Sequence, residues 1–253
     1  MRAEALVRRL LPPVLWLGVW QACAFGVDLW VSGRGNELLL PYPFTVACAL
    51  AELALTPRFW ETVLLSLCRV FAGAAAGGLA GVLLAWAAFC SPLLRDLFAP
   101  MIRIIRATPV ASFILLLLLW TRRGFVPAIM AGLMVLPIVW ENLSQGLRQA
   151  DPQLLELARA YRFSTRQRLR LIYIPAAMPY FRSALLSGIG LGWKAGVAAE
   201  VLCLPRPGMG TEIYNSKLYL EIPDLFAWTV AVVALSLIME WLLARLLGGK
   251  EGK

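Results

Sequence analysis

The sequence predicts an all-α polytopic membrane protein with about six transmembrane helices, cytoplasmic N- and C-termini and one long cytoplasmic loop. Three observations lead there. The 253 residues are 60% hydrophobic and only 15% charged, against about half and a quarter in soluble domains. The apolar residues are bunched into runs of about 20, the length that crosses a hydrocarbon core of roughly 30 Å. The Lys and Arg residues crowd into alternate loops, as they do on the cytoplasmic side of membrane proteins.

Taken in order, the apolar runs fall at 11–30, 64–89, 98–120, 125–143, 179–204 and 225–247. A backbone in lipid must satisfy its own hydrogen bonds, so each should be a helix. The first follows Arg2, Arg8 and Arg9 and contains Ala22-Cys23-Ala24, formally a small-x-small cleavage site. Its length exceeds a signal-peptide core, and it reads as an uncleaved first helix. Residues 38–58 hold Pro41, Pro43 and Pro57, which imply an extended stretch followed by a short helix. With the N-terminus inside, the inner pieces hold Arg2, Arg8 and Arg9; Arg95, Arg103 and Arg106; the seven arginines from Arg148 to Arg182; and Arg245, Lys250 and Lys253. Those 16 outnumber the 6 outside: Arg34, Arg58, Arg122, Arg123, Arg206 and Lys217. The Arg122-Arg123 pair is the one awkward placement.

Composition also narrows the chemistry. A net charge of +9 in such a chain marks inner loops and does not call for nucleic acid. There is no histidine, which removes imidazole metal ligands and the commonest proton relay. The five cysteines (Cys23, Cys48, Cys68, Cys90, Cys203) form no C-x-x-C pair and read as small apolar packing residues. No cofactor is implied. Glycines at every fourth position (Gly73, Gly77, Gly81 and Gly188, Gly192, Gly196) make two flat stripes suited to close helix packing.

Charges within spans are functional candidates, because lipid penalises them. Arg69 and Glu61 lie near one end of the second span, where they can reach water. Glu240 has Arg245 five residues on for a local pair. Lys194 and Glu200 share the fifth span about 240° apart around the helix. Both are candidates for a translocation path; Lys194 could instead pair with Glu141 or another acid across helices, and Trp193 beside it reads as packing.

The 151–175 loop carries the most information. Asp151 can cap a helix whose first turn holds Pro152. Leu154, Leu157, Ala158 and Tyr161 follow at i, i+3, i+4 and i+7, one face of a helix too short and charged to span. Ser164 and Gln167 form a capping box for a second helix bearing Arg166, Arg168 and Arg170, expected to halt at Pro175. The apolar face needs a cover, either the membrane interface or a groove on a soluble partner.

Glu156-x-Ala158 followed by Ile172-x-Ile174-Pro175 resembles the cytoplasmic EAA loop of binding-protein-dependent ABC transporter permeases. Glu156, Ala158, Ile172 and Pro175 match at the family spacing, Leu157 and Ile174 vary mildly, and Arg162 stands where the family has glycine. Leu40-Pro-Tyr-Pro43, Arg69 to Gly73, Ala107-Thr-Pro109, Gly192 to Glu200 and Gly208-Met-Gly210 are similar to further family positions, in order, and point to the nitrate/sulfonate/taurine branch.

The resemblance implies one permease domain over 1–253 in the bacterial cytoplasmic (inner) membrane, paired with a second copy as a homodimer. A cytoplasmic ATP-binding subunit would dock on the 151–175 coupling loop, and an extracytoplasmic substrate-binding protein would deliver a small solute, sulfonate-, nitrate- or taurine-like or a vitamin precursor. Glu156, Ala158, Arg162, Ile172 and Pro175 would form the ATPase-coupling site, Glu156 by an ion pair to a base of the partner. No G-x-x-x-x-G-K-[ST] phosphate loop occurs, so the chain would be a transport subunit and not the enzyme. Arg162 must either take a different corner or bear about 1 kcal/mol of strain. An ion-coupled secondary transporter would instead show inverted repeats and mid-membrane ionisable residues. A metal-dependent membrane enzyme would need His or paired acids.

Overall fold

In the computed structural model, described for residues 2–31 and 38–247 with the side chains of 2–10 excepted, every regular element is helical. Arg34, Lys250 and Lys253 lie outside the described residues, as do the side chains of Arg2, Arg8 and Arg9. The helices are α1 (Arg2–Trp30), α2 (Pro43–Ala54), α3 (Pro57–Cys90), α4 (Pro92–Ala107), α5 (Val110–Trp120), α6 (Val126–Arg148), α7 (Pro152–Ala160), α8 (Thr165–Arg168), α9 (Ile174–Cys203), α10 (Met209–Leu218) and α11 (Ile222–Leu247). A five-residue π-helical turn, Leu169–Tyr173, joins α8 to α9. Prolines at the start of α2, α3, α4, α6 and α7 occupy positions where a missing N–H leaves nothing unpaired.

The centre is a three-helix stack in which α6 packs against both α3 and α9. The predicted glycine stripes explain why. A Cβ on Gly73 or Gly77 would run into the backbone of Ala128 or Gly132, and one on Gly81 would lie 2.7 Å from the Leu136 carbonyl. The backbones of α3 and α6 therefore touch along three turns, and only glycine permits that approach. The second stripe faces side chains: Gly192 meets Val135 and Gly196 meets Val70. Trp193 is fully buried and donates its indole N–H to the Val232 carbonyl at 3.1 Å, which makes it a packing residue as expected.

Where about six spans were expected, four of the described helices are long and apolar enough to cross a membrane (α3, α6, the continuous Thr165–Cys203 helix and α11), or five if the bent α4–α5 pair counts as one; α1 is not among them. The predicted 98–120 span is instead two helices, α4 and α5, bent by 106° at Thr108-Pro109. Pro109 supplies no N–H and restricts the residue before it, so the helix cannot run through. Large apolar side chains such as Trp16, Leu79, Leu115, Leu119 and Leu237 are exposed along the outside. Lipid is as apolar as a protein core, so such a surface is no penalty in a bilayer. The same argument covers the thiols: only Cys203 is buried and the other four cysteines are exposed, so the packing expectation holds for Cys203 alone.

The predicted 11–30 span lies within α1, which meets the rest through Asp28, whose carboxylate accepts the Tyr42 hydroxyl at 3.3 Å, and through Trp20. Its indole donates to the Pro41 carbonyl at 3.1 Å, and its ring lies 5.9 Å from that of Phe226. The extended stretch before α2 is as expected, with Tyr42 at φ −64° and ψ 145°.

Candidate functional site

The helix α7 starts as the sequence predicts. The Asp151 carboxylate accepts the Gln153 N–H at 2.8 Å, and Pro152 occupies the first turn. Its end is a corner closed by two backbone bonds, Phe163 N–H to the Ala158 carbonyl (2.8 Å) and Arg162 N–H to the Arg159 carbonyl (3.0 Å). That is a Schellman motif, which places the residue after the C-cap in the left-handed region. The residue is Arg162, at φ 53°. The corner is thus built as a glycine would build it, with an arginine bearing the strain. The capping box follows: Ser164 Oγ accepts the Gln167 N–H and the Gln167 side chain accepts the Ser164 N–H.

The second short helix does not halt at Pro175. It continues through the π turn into α9, giving one helix from Thr165 to Cys203 of 39 residues, about 58 Å at 1.5 Å per residue. Proline lacks a donor and its ring crowds the carbonyl four residues back. The wider turn before it, with the Ile174 N–H bonded to the Leu169 carbonyl, accommodates that ring without breaking the helix.

The apolar face of α7 also divides. Ala158 is buried with Ala150 and Ile172, and Leu155, Phe163, Tyr173 and Ala176 pack around them. Leu154, Leu157 and Tyr161 are 46%, 52% and 72% exposed. Of the predicted coupling residues, Ala158 and Ile172 therefore meet in one small core. Glu156, Arg162 and Pro175 are exposed around it.

At the opposite ends of α6 and α9, Glu200 is completely buried. Ser66 Oγ lies 2.8 and 2.9 Å from its two carboxylate oxygens, the Gly210 N–H donates to it at 3.0 Å, and Arg69 Nη1 approaches to 3.4 Å. Arg69 also donates to the Pro207 carbonyl at 2.5 Å, and Ser66 Oγ accepts the Met209 N–H at 2.9 Å. This clasp ties α3, α9 and the 204–210 loop together. Arg69 reaches a carboxylate and not simply water, as its position near the end of the span had implied. The signal was legible as Glu200 and Arg69 on separate helices, but nothing in the order of residues pairs them or Ser66.

Lys194 is exposed and does not pair with Glu141, which is held by Arg106 on α4. Glu240 makes no ion pair with Arg245, whose guanidinium lies 4.8 Å over the Trp241 ring instead. Five residues on a helix put the two side chains on different faces, whereas Trp241 lies four residues from Arg245. Lys194 is exposed whereas Glu200 is fully buried in the clasp. Among the described residues no group of three or more His, Cys, Asp or Glu side chains is placed to hold a metal.

The bicarbonate transport system permease protein CmpB of Synechococcus elongatus is 26% identical over 217 residues, covering 85% of this chain and 75% of its own. The nitrate import permease protein NrtB of Synechocystis is 28% identical over 86% of this chain and 80% of its own, and the taurine transport system permease protein TauC of Escherichia coli is 24% identical over 81% and 76%. A crystal structure of an amino acid ABC transporter with histidines superposes with a TM-score of 0.63 at 20% identity, covering 79% of this chain and 95% of that one. At that identity the superposition speaks for the fold. The sequence profile of the binding-protein-dependent transport system inner membrane component matches residues 77–248. Fold, loop and profile agree, and the chain belongs to the family of inner membrane components of binding-protein-dependent transport systems.

Proposed function

We propose that this chain is the permease subunit of an ABC importer, a single transmembrane domain over 1–253 that works as a homodimer in a bacterial cytoplasmic membrane. Its cargo is a small solute carrying an oxoanion group, the feature common to the bicarbonate, nitrate and taurine named for its relatives. A cytoplasmic ATP-binding subunit docks on the α7 corner, and an extracytoplasmic binding protein delivers solute at the other end.

One observation carries the reading: the uncovered Leu154, Leu157 and Tyr161 stripe sits on a corner that is continuous with a helix of 39 residues. That helix is about twice as long as the hydrocarbon core is thick. A partner that grips the stripe and shifts by a few ångströms moves α9 as a lever, so hydrolysis elsewhere changes access within the bundle. Glu156, exposed beside the stripe, is free to pair with a base on the partner. Arg162 shapes the corner, and Pro175 sets the π turn that joins corner to lever. Lys194 remains the candidate for the path on α9, while Glu200 serves as the buried joint behind it.

The test is quantitative recovery of chains bound to the tagged permease from its native membrane. An ATP-binding subunit in equal amount to the permease supports the reading. Solute uptake by the purified chain alone in liposomes, without nucleotide, would overturn it and favour an ion-coupled transporter.

A further inference from the structure

Opposite the α7 corner, Arg69, Arg123 and Arg206 line one cleft of about 410 Å³ together with Gly124, Leu204 and Pro205. No acidic residue lines it. Arg69 is already committed to Glu200 and to the Pro207 carbonyl through Nη1. Its other guanidinium nitrogens make no hydrogen bond among the described residues. Arg123 and Arg206 are exposed and form no ion pair there. Arg206 also borders a second cleft bearing Glu212, Glu221 and Asp224, but Glu212 is held by Arg58 at 3.3 Å, and among the described residues neither Glu221 nor Asp224 forms an ion pair with Arg206.

The frame around the cleft is rigid. The left-handed Leu204 (φ 54°) turns the chain out of α9. Thr211 Oγ1 then donates to the Pro205 carbonyl at 2.6 Å, and the Glu200–Ser66 clasp holds Met209 and Gly210. The loop bearing Arg206 is therefore pinned on both sides, and Arg69 is fixed as a wall. Two further guanidinium groups that share a cleft without a counter-charge repel each other, and an anion between them removes that penalty. Guanidinium is also the side chain whose planar donor fork matches an oxoanion.

We propose that this cleft is the docking site for the oxoanion group of the cargo on its way into the bundle, with Arg123 and Arg206 as the ligands and Arg69 as the fixed wall. The inference rests on the transport reading and deepens it. It also gives a role to Arg123, one of the two arginines that run against the charge bias of the loops.

The experiment uses the permease with its ATP-binding subunit in phosphatidylcholine nanodiscs. Thermal melting is followed while nitrate, bicarbonate and methanesulfonate are titrated singly, with chloride keeping ionic strength constant. The expected result is a saturable rise in melting temperature with at least one probe. In the double variant R123Q/R206Q the apparent Kd rises at least about tenfold, the scale of losing charge-assisted hydrogen bonds. In R122Q, one residue from the cleft, it stays within about twofold. Melting without added anion serves as the folding control, and R123K/R206K, which keeps both charges, recovers part of the affinity.

Three results would each overturn the proposal: no probe shifts melting beyond chloride, the double variant keeps the wild-type Kd, or the shift appears only when phosphatidylglycerol is placed in the disc. The last would assign the arginines to a lipid headgroup. Failure to recover any ATP-binding subunit is scored separately and counts against the transport reading. The permease alone in discs is then titrated in the same way, so the cleft is tested in either case.

Discussion

A single backbone angle at Arg162 ties the corner of the 151–175 loop to its strain. A non-glycine residue in the left-handed region gives up about 1 kcal/mol. Arg162→Gly is therefore expected to leave ATP-driven uptake intact and to keep or raise the melting temperature. Loss of uptake with assembly preserved would show that the side chain is itself a contact. Glu200 is the opposite case, since three groups, the Ser66 hydroxyl, the Gly210 N–H and the Arg69 guanidinium, converge on it. Glu200→Ala leaves Arg69 without its counter-charge and the Ser66 and Gly210 donors without an acceptor, a loss of about 3 kcal/mol. Glu200→Gln keeps an acceptor for those donors and should lose only about half as much. Melting of both variants in one lipid composition checks the ranking, and equal losses would contradict the charge-pair argument.

Among the elements, the α3–α6 contact is the least tolerant of change. A methyl on Gly77 overlaps the Gly132 backbone, whereas one on Gly78 would find only a Val135 methyl at 3.7 Å. Gly77→Ala forces two backbones apart, which side-chain repacking cannot absorb, and should lower stability by about 2–3 kcal/mol. Gly78→Ala, one residue away with the same gain in helix propensity, is expected to be neutral or slightly stabilising. Denaturation of the two variants side by side decides it, and equal effects would mean that the crossing is looser than the structure has it. The π turn at Leu169–Tyr173 shows a second element-level compromise, because it lets α8 and α9 stay one helix across Pro175.

For the whole molecule, the central question is what covers α7. Leu157 is half exposed and contributes little to the chain's own core. Leu157→Glu should leave the melting of the isolated permease within about 0.5 kcal/mol of wild type, as surface substitutions do. If α7 is the docking site proposed above, the same variant should abolish recovery of the ATP-binding subunit, because it places a buried unpaired carboxylate in that contact. Retention of the partner by Leu157→Glu would move the docking site elsewhere. The proposed arginine cleft and the α7 corner lie at opposite ends of α6 and α9, which suits a molecule that receives cargo at one end and force at the other.

The sequence by itself determined the class of the molecule, four of the six expected spans (64–89, 125–143, 179–204 and 225–247), the cap at Asp151, the capping box at Ser164 and the glycine stripes. Each of these rests on hydrophobicity, on hydrogen bonds within a few residues or on a periodic absence of side chains, all of which are local in the chain. Tertiary structure alone decided that Pro175 is bridged and does not stop the helix, because that depends on how the turn before it can widen. It alone decided which acid each base meets: Arg69 with Glu200, 131 positions away, and Glu141 with Arg106 and not with Lys194. Ion pairing falls steeply with distance in space and is indifferent to distance along the chain. Tertiary structure also decided that Arg69, Arg123 and Arg206 border one cleft, because they lie on three segments far apart in the chain that only the packing of the helices brings together.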